Sequence, residues 1–135
     1  MKLEIVTPEK KVYSDEVDQV SLPTPNGEIT VLPNHLPVIT QVKPGELKVK
    51  KNDKISYLVT GSGFVEITGK SVSVMTDLAE WSEEIDEKGA EEARKRAEEA
   101  LKQKHTLTNE QFAQTAAALE KALASLKVKR RHRKI

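Results

Sequence analysis

The residue that first suggests chemistry is His35, which lies between two prolines in the segment Leu32-Pro33-Asn34-His35-Leu36-Pro37. A histidine can serve as a general base or a metal ligand, but each role needs further groups at a defined spacing. No nucleophile–acid pair accompanies His35, and the other histidines fall in a connector (His105) and near the C-terminus (His132). A catalytic or metal site is therefore not supported. Two interpretations stay open: a rigid loop that presents His35, or a corner of the fold in which His35 caps a backbone group.

Two other segments resemble functional motifs but lack required parts. Gly61-Ser62-Gly63 has neither the helix start nor the Lys-Ser/Thr ending of a phosphate-binding loop, so we expect a bulge or a close backbone approach there. Near the start of the predicted first helix, carboxylates would interact favourably with the helix dipole, and they give no sign of acid–base chemistry. This group comprises Glu80, Glu83, Glu84, Asp86 and Glu87.

The last nine residues, 127–135, carry six formal positive charges. They come from Lys127, Lys129, Arg130, Arg131, Arg133 and Lys134. Without these six, the chain keeps 16 basic and 21 acidic residues, a formal charge of −5. The segment is either a solvated tail or a cationic group that docks on an acidic surface of a partner protein. Nucleic acid is a weaker third option, because the remainder is acidic and no aromatic residues alternate with the charges.

Composition narrows the class of protein further. The 135 residues make about one domain plus a small appendage. A formal charge of +1 argues against nucleic acid as the main partner, and the lack of cysteine excludes disulfides, thiolate metal sites and a Cys nucleophile. No apolar run approaches the roughly 20 residues of a membrane span, and no signal peptide opens the chain. We expect a soluble protein of a reducing compartment.

The elements that must position these residues change character at Trp81. All six prolines and five of the six glycines precede residue 70, which favours strands and turns first and helices afterwards. The chain is thus divided into domains 1–81 and 82–135. Short alternating segments between turn residues, such as 16–22, 28–32 and 55–60, predict an antiparallel β-sandwich or barrel of about 8–10 strands.

The second domain predicts an α-helical hairpin. Its first helix runs from Glu83 to about Lys104, and a capping box formed by Thr108 and Gln111 opens the second. Apolar residues then recur at alternating spacings of four and three, which predicts a seam for a partner helix. The seam consists of Phe112, Ala116, Leu119, Leu123 and Leu126. Since the apolar stripes are largely alanine, the hairpin buries little area and is only marginally held to itself.

Taken in order, these segments resemble the epsilon subunits of bacterial F-type ATP synthases. The likeness rests on Gly-Glu-Ile-Thr-Val-Leu-Pro-Asn-His-Leu-Pro at 27–37, on Gly-Ser-Gly-Phe-Val-Glu at 61–66, and on a β-domain followed by two helices. It extends over the whole chain.

The resemblance implies a non-catalytic subunit of the central stalk, which couples the catalytic head to the c-subunit ring in proton-driven ATP synthesis. The sandwich would pack on the gamma subunit and on the polar loops of the ring, with Glu28 and His35 at the ring-facing positions. The hairpin would either fold against the sandwich or extend along gamma into the head, where it inhibits ATP hydrolysis. There the basic tail would meet an acidic segment of a beta subunit, beside alpha.

The resemblance also raises the question of ATP binding. Some bacterial members bind ATP through a motif of Ile or Leu, Asp, two variable residues, Arg and Ala; here Gly89 replaces the arginine. Lys121 and Ser125 stand where strong binders carry arginines, whose bidentate contacts they cannot reproduce. We therefore expect ATP binding to be weak or absent, with no obligatory cofactor and with Arg94 or Arg96 as local substitutes. The positions matched to binders are Glu80, Ile85, Asp86, Ala90, Arg96 and Lys121.

Two alternatives from other classes are kept. One is a small β-sandwich adaptor whose basic tail binds an acidic protein or a nucleic acid, and the other is a hydrolase that uses His35. The epsilon interpretation places the chain on the cytoplasmic face of the bacterial plasma membrane, held there peripherally through its partners.

Overall fold

The computed structural model describes residues 1–132, apart from the side chain of Lys104. Ten strands precede two helices in the chain. The strands are β1 (Lys2–Val6), β2 (Lys11–Glu16), β3 (Gln19–Thr24), β4 (Gly27–Val31), β5 (Val38–Val42), β6 (Gly45–Lys51), β7 (Lys54–Thr60), β8 (Gly63–Ile67), β9 (Ser71–Thr76) and β10 (Ala79–Trp81). The helices are α1 (Glu87–Lys102) and α2 (Asn109–Arg131).

The strands form two five-stranded sheets that pack face to face. Sheet A has the order β2-β1-β9-β8-β5 and sheet B the order β10-β7-β6-β3-β4. Every pairing is antiparallel except that of β1 with β9, which is parallel. A parallel pair needs a long crossover, and here nearly the whole domain separates the two strands. The predicted β-sandwich followed by a helical hairpin is confirmed.

The core lies between the sheets and is aliphatic. Its fully buried side chains include Leu3, Ile5, Val20, Leu22, Val31, Leu47, Leu58, Val65, Val72 and Val74. At one open side of the sandwich, Tyr13 on edge strand β2 meets Trp81 on edge strand β10, with ring centroids 5.4 Å apart and planes at 75°. Both rings of this edge-to-face pair are partly buried and pack against the core.

The predicted strand over 16–22 is wrong in part: residues 19–22 lie in β3, but Glu16 ends β2 and the chain changes sheets between them. The amide of Val17 donates to Met1 O (2.8 Å) in sheet A, and the next amide, that of Asp18, donates to Lys50 O (2.9 Å) in sheet B. Val17 and Val20 are both buried, although a single strand would point residues three apart to opposite faces. Strands β2, β5 and β10 were not predicted, since their sequences lack a clear alternation.

The first helix begins later than predicted. Ser82–Glu84 form a 3₁₀ turn, Ile85 is extended and buried, and Asp86 caps α1 by accepting from the Gly89 amide (3.1 Å). The predicted capping box of α2 is confirmed, since Thr108 Oγ1 accepts from the Gln111 amide (3.1 Å) and Gln111 Oε1 accepts from the Thr108 amide (3.0 Å).

The predicted seam on α2 is wrong in part. Leu126 is buried, but Phe112 and Leu123 remain exposed. The residues that α2 buries are Ala122, Ser125, Leu126 and Val128. They do not follow one stripe, because α2 packs on α1 along its length and on strands β6 and β7 near its C-terminal end. A single-partner seam could not satisfy both neighbours.

A small second cluster joins the hairpin to the sandwich. Val59 on the outer face of β7, Ile85 before α1 and Val128 on α2 are buried together. Leu78 and Ala124 pack against them and are partly buried. The hairpin is therefore folded back on sheet B through a handful of aliphatic side chains, far fewer than the sandwich core contains.

At Gly63 the backbones of two strands approach closely, as expected for the Gly61–Gly63 pair. A Cβ added there would overlap the carbonyl oxygen of Met75 and lie 2.8 Å from its carbon, both backbone atoms of the paired strand β9. Gly63→Ala should lower the free energy of unfolding by about 3 kcal/mol, because the β8–β9 ladder must separate. The matched control is Gly69→Ala, since a Cβ at Gly69 has nothing within 4 Å. Urea unfolding measures both, and equal losses would contradict the argument.

Candidate functional site

Hydrogen bonds to backbone carbonyls, both within the loop and in a neighbouring turn, hold the loop between β4 and β5. Asn34 adopts a positive φ of 69°, and its amide donates to Gly69 O (3.0 Å) in the β8–β9 turn. The His35 amide donates to Leu32 O (3.2 Å), and Nδ1 of its ring donates to Leu36 O (2.7 Å). Because a carbonyl oxygen only accepts, Nδ1 carries a proton. Of the two interpretations of His35, the backbone cap is the one that its contacts match.

The groups that this loop presents are leucines, which sequence reasoning missed. Leu36 is 80% exposed and Leu32 is also exposed, while His35 is half-buried between them. Prolines flank the loop at positions 33 and 37, and they were the available signal in the sequence. Glu28 lies at the opposite end of β4, in a cleft that Lys43, Lys127 and Arg131 also line. The structure does not bring Glu28 and His35 together.

A second exposed apolar surface lies on the outer face of sheet A. In the strand register Met75 pairs with Phe64, and Phe64 pairs with Gln41, so these side chains share one face. Phe64 and Met75 are half exposed, and Ile39, two residues from Gln41 on that face, is 69% exposed. We call Ile39, Phe64 and Met75 the apolar row. The sequence signal was Phe64, a large apolar residue that precedes the buried Val65 in β8 and must therefore point to the opposite, solvent-facing side of the strand.

The residues matched to ATP binders do not gather into a phosphate site. Ile85 is in the core, Asp86 caps α1, Ala90 is half-buried and Arg96 is exposed. Lys121 Nζ pairs with Asp77 Oδ2 (2.8 Å).

Arg94 and position 89 are also poorly suited to supply a guanidinium. Arg94 pairs with Glu91 and with Glu98 Oε1 (2.7 Å), and these carboxylates raise the pKa of its guanidinium. A side chain at Gly89 would begin 2.6 Å from Asp86 Oδ2, so an arginine there would displace the cap. Of the three cations at or near the matched positions, Arg94 and Lys121 are half-buried and Arg96 is exposed.

The surroundings of Glu80 are also unfavourable for an anion. Glu80 lies directly across from Val59 in the β7–β10 ladder. Burial raises its pKa first of all, the charges of Glu84 and Asp86 raise it further, and Lys10 partly offsets this. A bound phosphate would add negative charge beside three carboxylates.

The basic end of α2 is folded onto acceptors of its own chain. Lys129 Nζ donates to the carbonyls of Ser82 (3.2 Å) and Glu83 (3.3 Å). Arg130 Nη2 binds Glu91 Oε2 (3.0 Å) on α1, and Arg131 Nη1 binds Glu46 Oε2 (2.6 Å) on β6. Lys127 is exposed, whereas Arg133 and Lys134 lie outside the described residues. A tail predicted to face a partner is thus partly occupied within the chain.

The histidines and acidic residues form no metal centre in the part of the chain that the structure describes. No group of three or more His, Asp or Glu side chains there could hold a metal ion. His105 is exposed in the 3₁₀ turn Lys104–Thr106, away from the His35 loop. No helix among these residues is long and apolar enough to cross a membrane.

Comparison with known proteins gives a consistent result over the whole chain. Two family models match: the ATP synthase Delta/Epsilon chain beta-sandwich domain over residues 1–82, and the Delta/Epsilon chain long alpha-helix domain over residues 83–130. The chain is 42% identical to the ATP synthase epsilon chain of Dehalococcoides mccartyi over 134 residues, covering 99% of this chain and 95% of that one. It is 43% identical to the epsilon chain of Geotalea daltonii over 128 residues, covering 95% and 92%.

Solved structures share the fold. A chain of the Euglena gracilis mitochondrial ATP synthase, in an OSCP/F1/c-ring structure, matches with a TM-score of 0.74 at 24% identity, covering 90% of this chain and 76% of that one. A chain of the Tetrahymena thermophila mitochondrial ATP synthase central stalk and c-ring matches with a TM-score of 0.64 at 13% identity, covering 95% of each chain.

The electrostatics of Glu80 can be measured directly. Since its pKa in the folded state lies above the unfolded value, the ionised form costs stability, and the cost is present only where the carboxyl is ionised. Glu80→Gln should therefore raise the free energy of unfolding by about 0.5 kcal/mol at neutral pH. The gain should vanish below the ordinary glutamate pKa, at about pH 3.5. The control is Glu66→Gln on the exposed face of β8. A gain that persists at acid pH would contradict the assignment.

Proposed function

The chain belongs to the ATP synthase delta/epsilon family, and on that basis we propose that it is the epsilon subunit of the central stalk of a proton-translocating ATP synthase. It couples the catalytic head to the c-subunit rotor and has no catalytic residues of its own. The observation that carries the proposal is that the two domains are stabilised differently. The sandwich has a large aliphatic core, whereas the hairpin is attached to it by a small apolar cluster and ion pairs.

The sandwich is the part that docks on the rotor. Exposed apolar area on an otherwise polar surface is typical of a protein interface. We assign the apolar row Ile39, Phe64 and Met75 to the gamma subunit. The loop with Leu32 and Leu36 at its tip, braced by His35, meets the polar loops of the c-subunit ring. Contact with the membrane is then indirect, through the complex and at its cytoplasmic face.

The hairpin regulates ATP hydrolysis. In the folded state its charged residues pair within the chain, and in an extended state along gamma the same cations reach an acidic segment of a beta subunit, next to alpha. Each state satisfies the charges, so a small difference in free energy decides which one is populated. The extended state blocks rotation in the hydrolytic direction.

ATP is not a cofactor of this chain in our proposal. Asp86 is used as a helix cap, Lys121 and Arg94 are paired with carboxylates, and Gly89 supplies no guanidinium. The state of the hairpin is then set by contacts with the rotor and the head rather than by nucleotide.

The adaptor interpretation makes a different prediction. A small sandwich that binds an acidic partner through its tail would need neither the apolar row nor a gamma subunit. Copurification with gamma therefore separates the two functions, and family membership favours the epsilon role.

The assignment of the apolar row can be tested in the complex. The chain should copurify with gamma and slow ATP hydrolysis by the catalytic head.

Phe64→Glu should weaken gamma binding at least about tenfold, since it places a charge in the centre of an apolar interface. The control is Ile55→Glu, also exposed but on β7 of sheet B. Equal binding by both variants, or no copurification of the unmodified chain, would contradict the proposal.

The absence of a nucleotide site can be tested on the isolated chain. Amide NMR shifts should show no saturable change around Asp86–Arg96 or Lys121 up to about millimolar ATP, with or without Mg²⁺. Arg94 and Lys121 are paired with carboxylates, and the exposed Arg96 alone cannot supply the several bidentate contacts that a triphosphate needs. The control is Gly89→Arg, which restores the motif and reveals whether the displaced Asp86 cap prevents binding. Saturable shifts in the unmodified chain would overturn this part of the proposal.

A further inference from the structure

The outer face of sheet B offers a defined seat for the end of α2. Val59 on β7 has Glu46 directly opposite on β6, and residues opposite each other in a ladder point to the same face. Tyr57, two residues before Val59, shares that face. A small apolar centre thus has a carboxylate and an aromatic ring beside it, and Val128 of α2 covers the centre.

Glu46 engages Arg131, the last residue of α2, and His132, which follows it. Its Oε2 accepts from Arg131 Nη1 (2.6 Å), and its Oε1 bonds to His132 Nε2. The side chain of Glu46 is 17% exposed, so the folded hairpin removes most of its water. A carboxylate buried to this degree needs such partners, and it regains water if α2 leaves. The charge of Glu46 is therefore compensated in both states of the hairpin, by Arg131 and His132 when α2 is docked and by water when it is not.

Tyr57 adds an aromatic contact to the ion pair. Its ring stacks on that of His132, with centroids 3.6 Å apart and planes at 14°. The stack holds the imidazole beside Glu46. Lys54, Ser56 and Lys129 line the same cleft. Arg130, on another side of the helix, binds Glu91 on α1, so the helix end is held from two directions.

We propose that Glu46 and Tyr57 form an internal docking site for the C-terminal end of α2, which competes with an acidic peptide of a partner protein for the same cations. The Nη1–H of Arg131 and the Nε2–H of His132 that bind Glu46 are not available to a partner carboxylate while the end of α2 is docked. The site thereby sets how readily the basic end becomes available. The identity of that partner rests on the proposed function, but the docking site and the competition are properties of the isolated chain.

A reporter thiol measures undocking directly. The chain has no cysteine, and Val128, 2% exposed, packs on the sandwich, so Val128→Cys gives one thiol that reacts when α2 leaves. In this background Glu46→Gln should raise the labelling rate about fivefold at low salt, as expected for loss of a well-paired charge. The control Glu66→Gln makes the same change in net charge on sheet A and should leave the rate within about twofold. Equal rates for the two variants would overturn the docking site.

A charge exchange distinguishes pairing from a general loss of stability. Glu46→Lys and Arg131→Glu should each raise the labelling rate, and the double variant should label more slowly than either single one, because it restores an ion pair. Salt at 1 M, where the Debye length is about 3 Å, should raise the rate of the unmodified background and shrink the effect of Glu46→Gln. A double variant at least as fast as its parents would contradict the pairing.

Competition is tested with fluorescently labelled hexaglutamate and the full chain. Fluorescence anisotropy should show tighter binding to Glu46→Gln than to Glu66→Gln, because the released cations become available. Equal affinities would overturn the competition. None of these measurements uses an ATP synthase subunit. A chain that passes them yet does not inhibit the catalytic head would keep its docking site and lose the proposed function.

Discussion

The attachment of α2 to the outer face of sheet B is the contact on which the arrangement of the two domains, and the regulation proposed above, depend. Its apolar part is the cluster of Val59, Ile85 and Val128. At roughly 25 cal/mol per Å² of apolar surface, so few side chains hold the hairpin weakly. The rest of the attachment to the sandwich is electrostatic, through Glu46 on β6 and Asp77 between β9 and β10. Such contacts can be exchanged for similar ones on another protein, whereas an aliphatic core cannot.

The sandwich, by contrast, is stabilised mainly by burial of apolar side chains. Its buried leucines, isoleucines and valines interlock between two five-stranded sheets, and Tyr13 with Trp81 closes one open side. Burial on this scale makes the domain cooperative, so under the proposed function it would remain one body in both states of the hairpin. A rigid part that docks and a weakly held part that leaves are what the proposed regulation requires. Under that proposal the charges of α2 determine a conformational balance rather than the fold.

The connecting segment keeps the two parts independent. Ser82–Glu84 form a short turn, Ile85 anchors the segment in the small cluster, and the Asp86 cap starts α1 afresh. Because α1 has its own cap and α2 its own capping box, both helices keep their N-terminal hydrogen bonds wherever the hairpin lies. The cost of releasing the hairpin is then confined to its contacts with the sandwich.

The sequence by itself determined the features that depend on local patterns. Proline and glycine placement gave the order of a β-domain and two helices, the Thr108–Gln111 pair located the start of α2, and the glycine pair marked the close approach at Gly63. The resemblance at 27–37 and 61–66 gave the family. These features involve neighbouring residues, so their physical cause can be read along the chain.

The tertiary structure decided everything that depends on residues far apart in the chain. It placed β1 beside β9 in parallel, divided the predicted strand at Val17, and left Phe112 and Leu123 exposed because α2 serves two neighbours. It also placed the basic end of α2 against Glu46, 85 residues before Arg131. Sequence patterns report which side chains seek burial or an opposite charge. Which partner satisfies each of them is settled only when the sheets and helices pack, because distant groups compete for the same contacts.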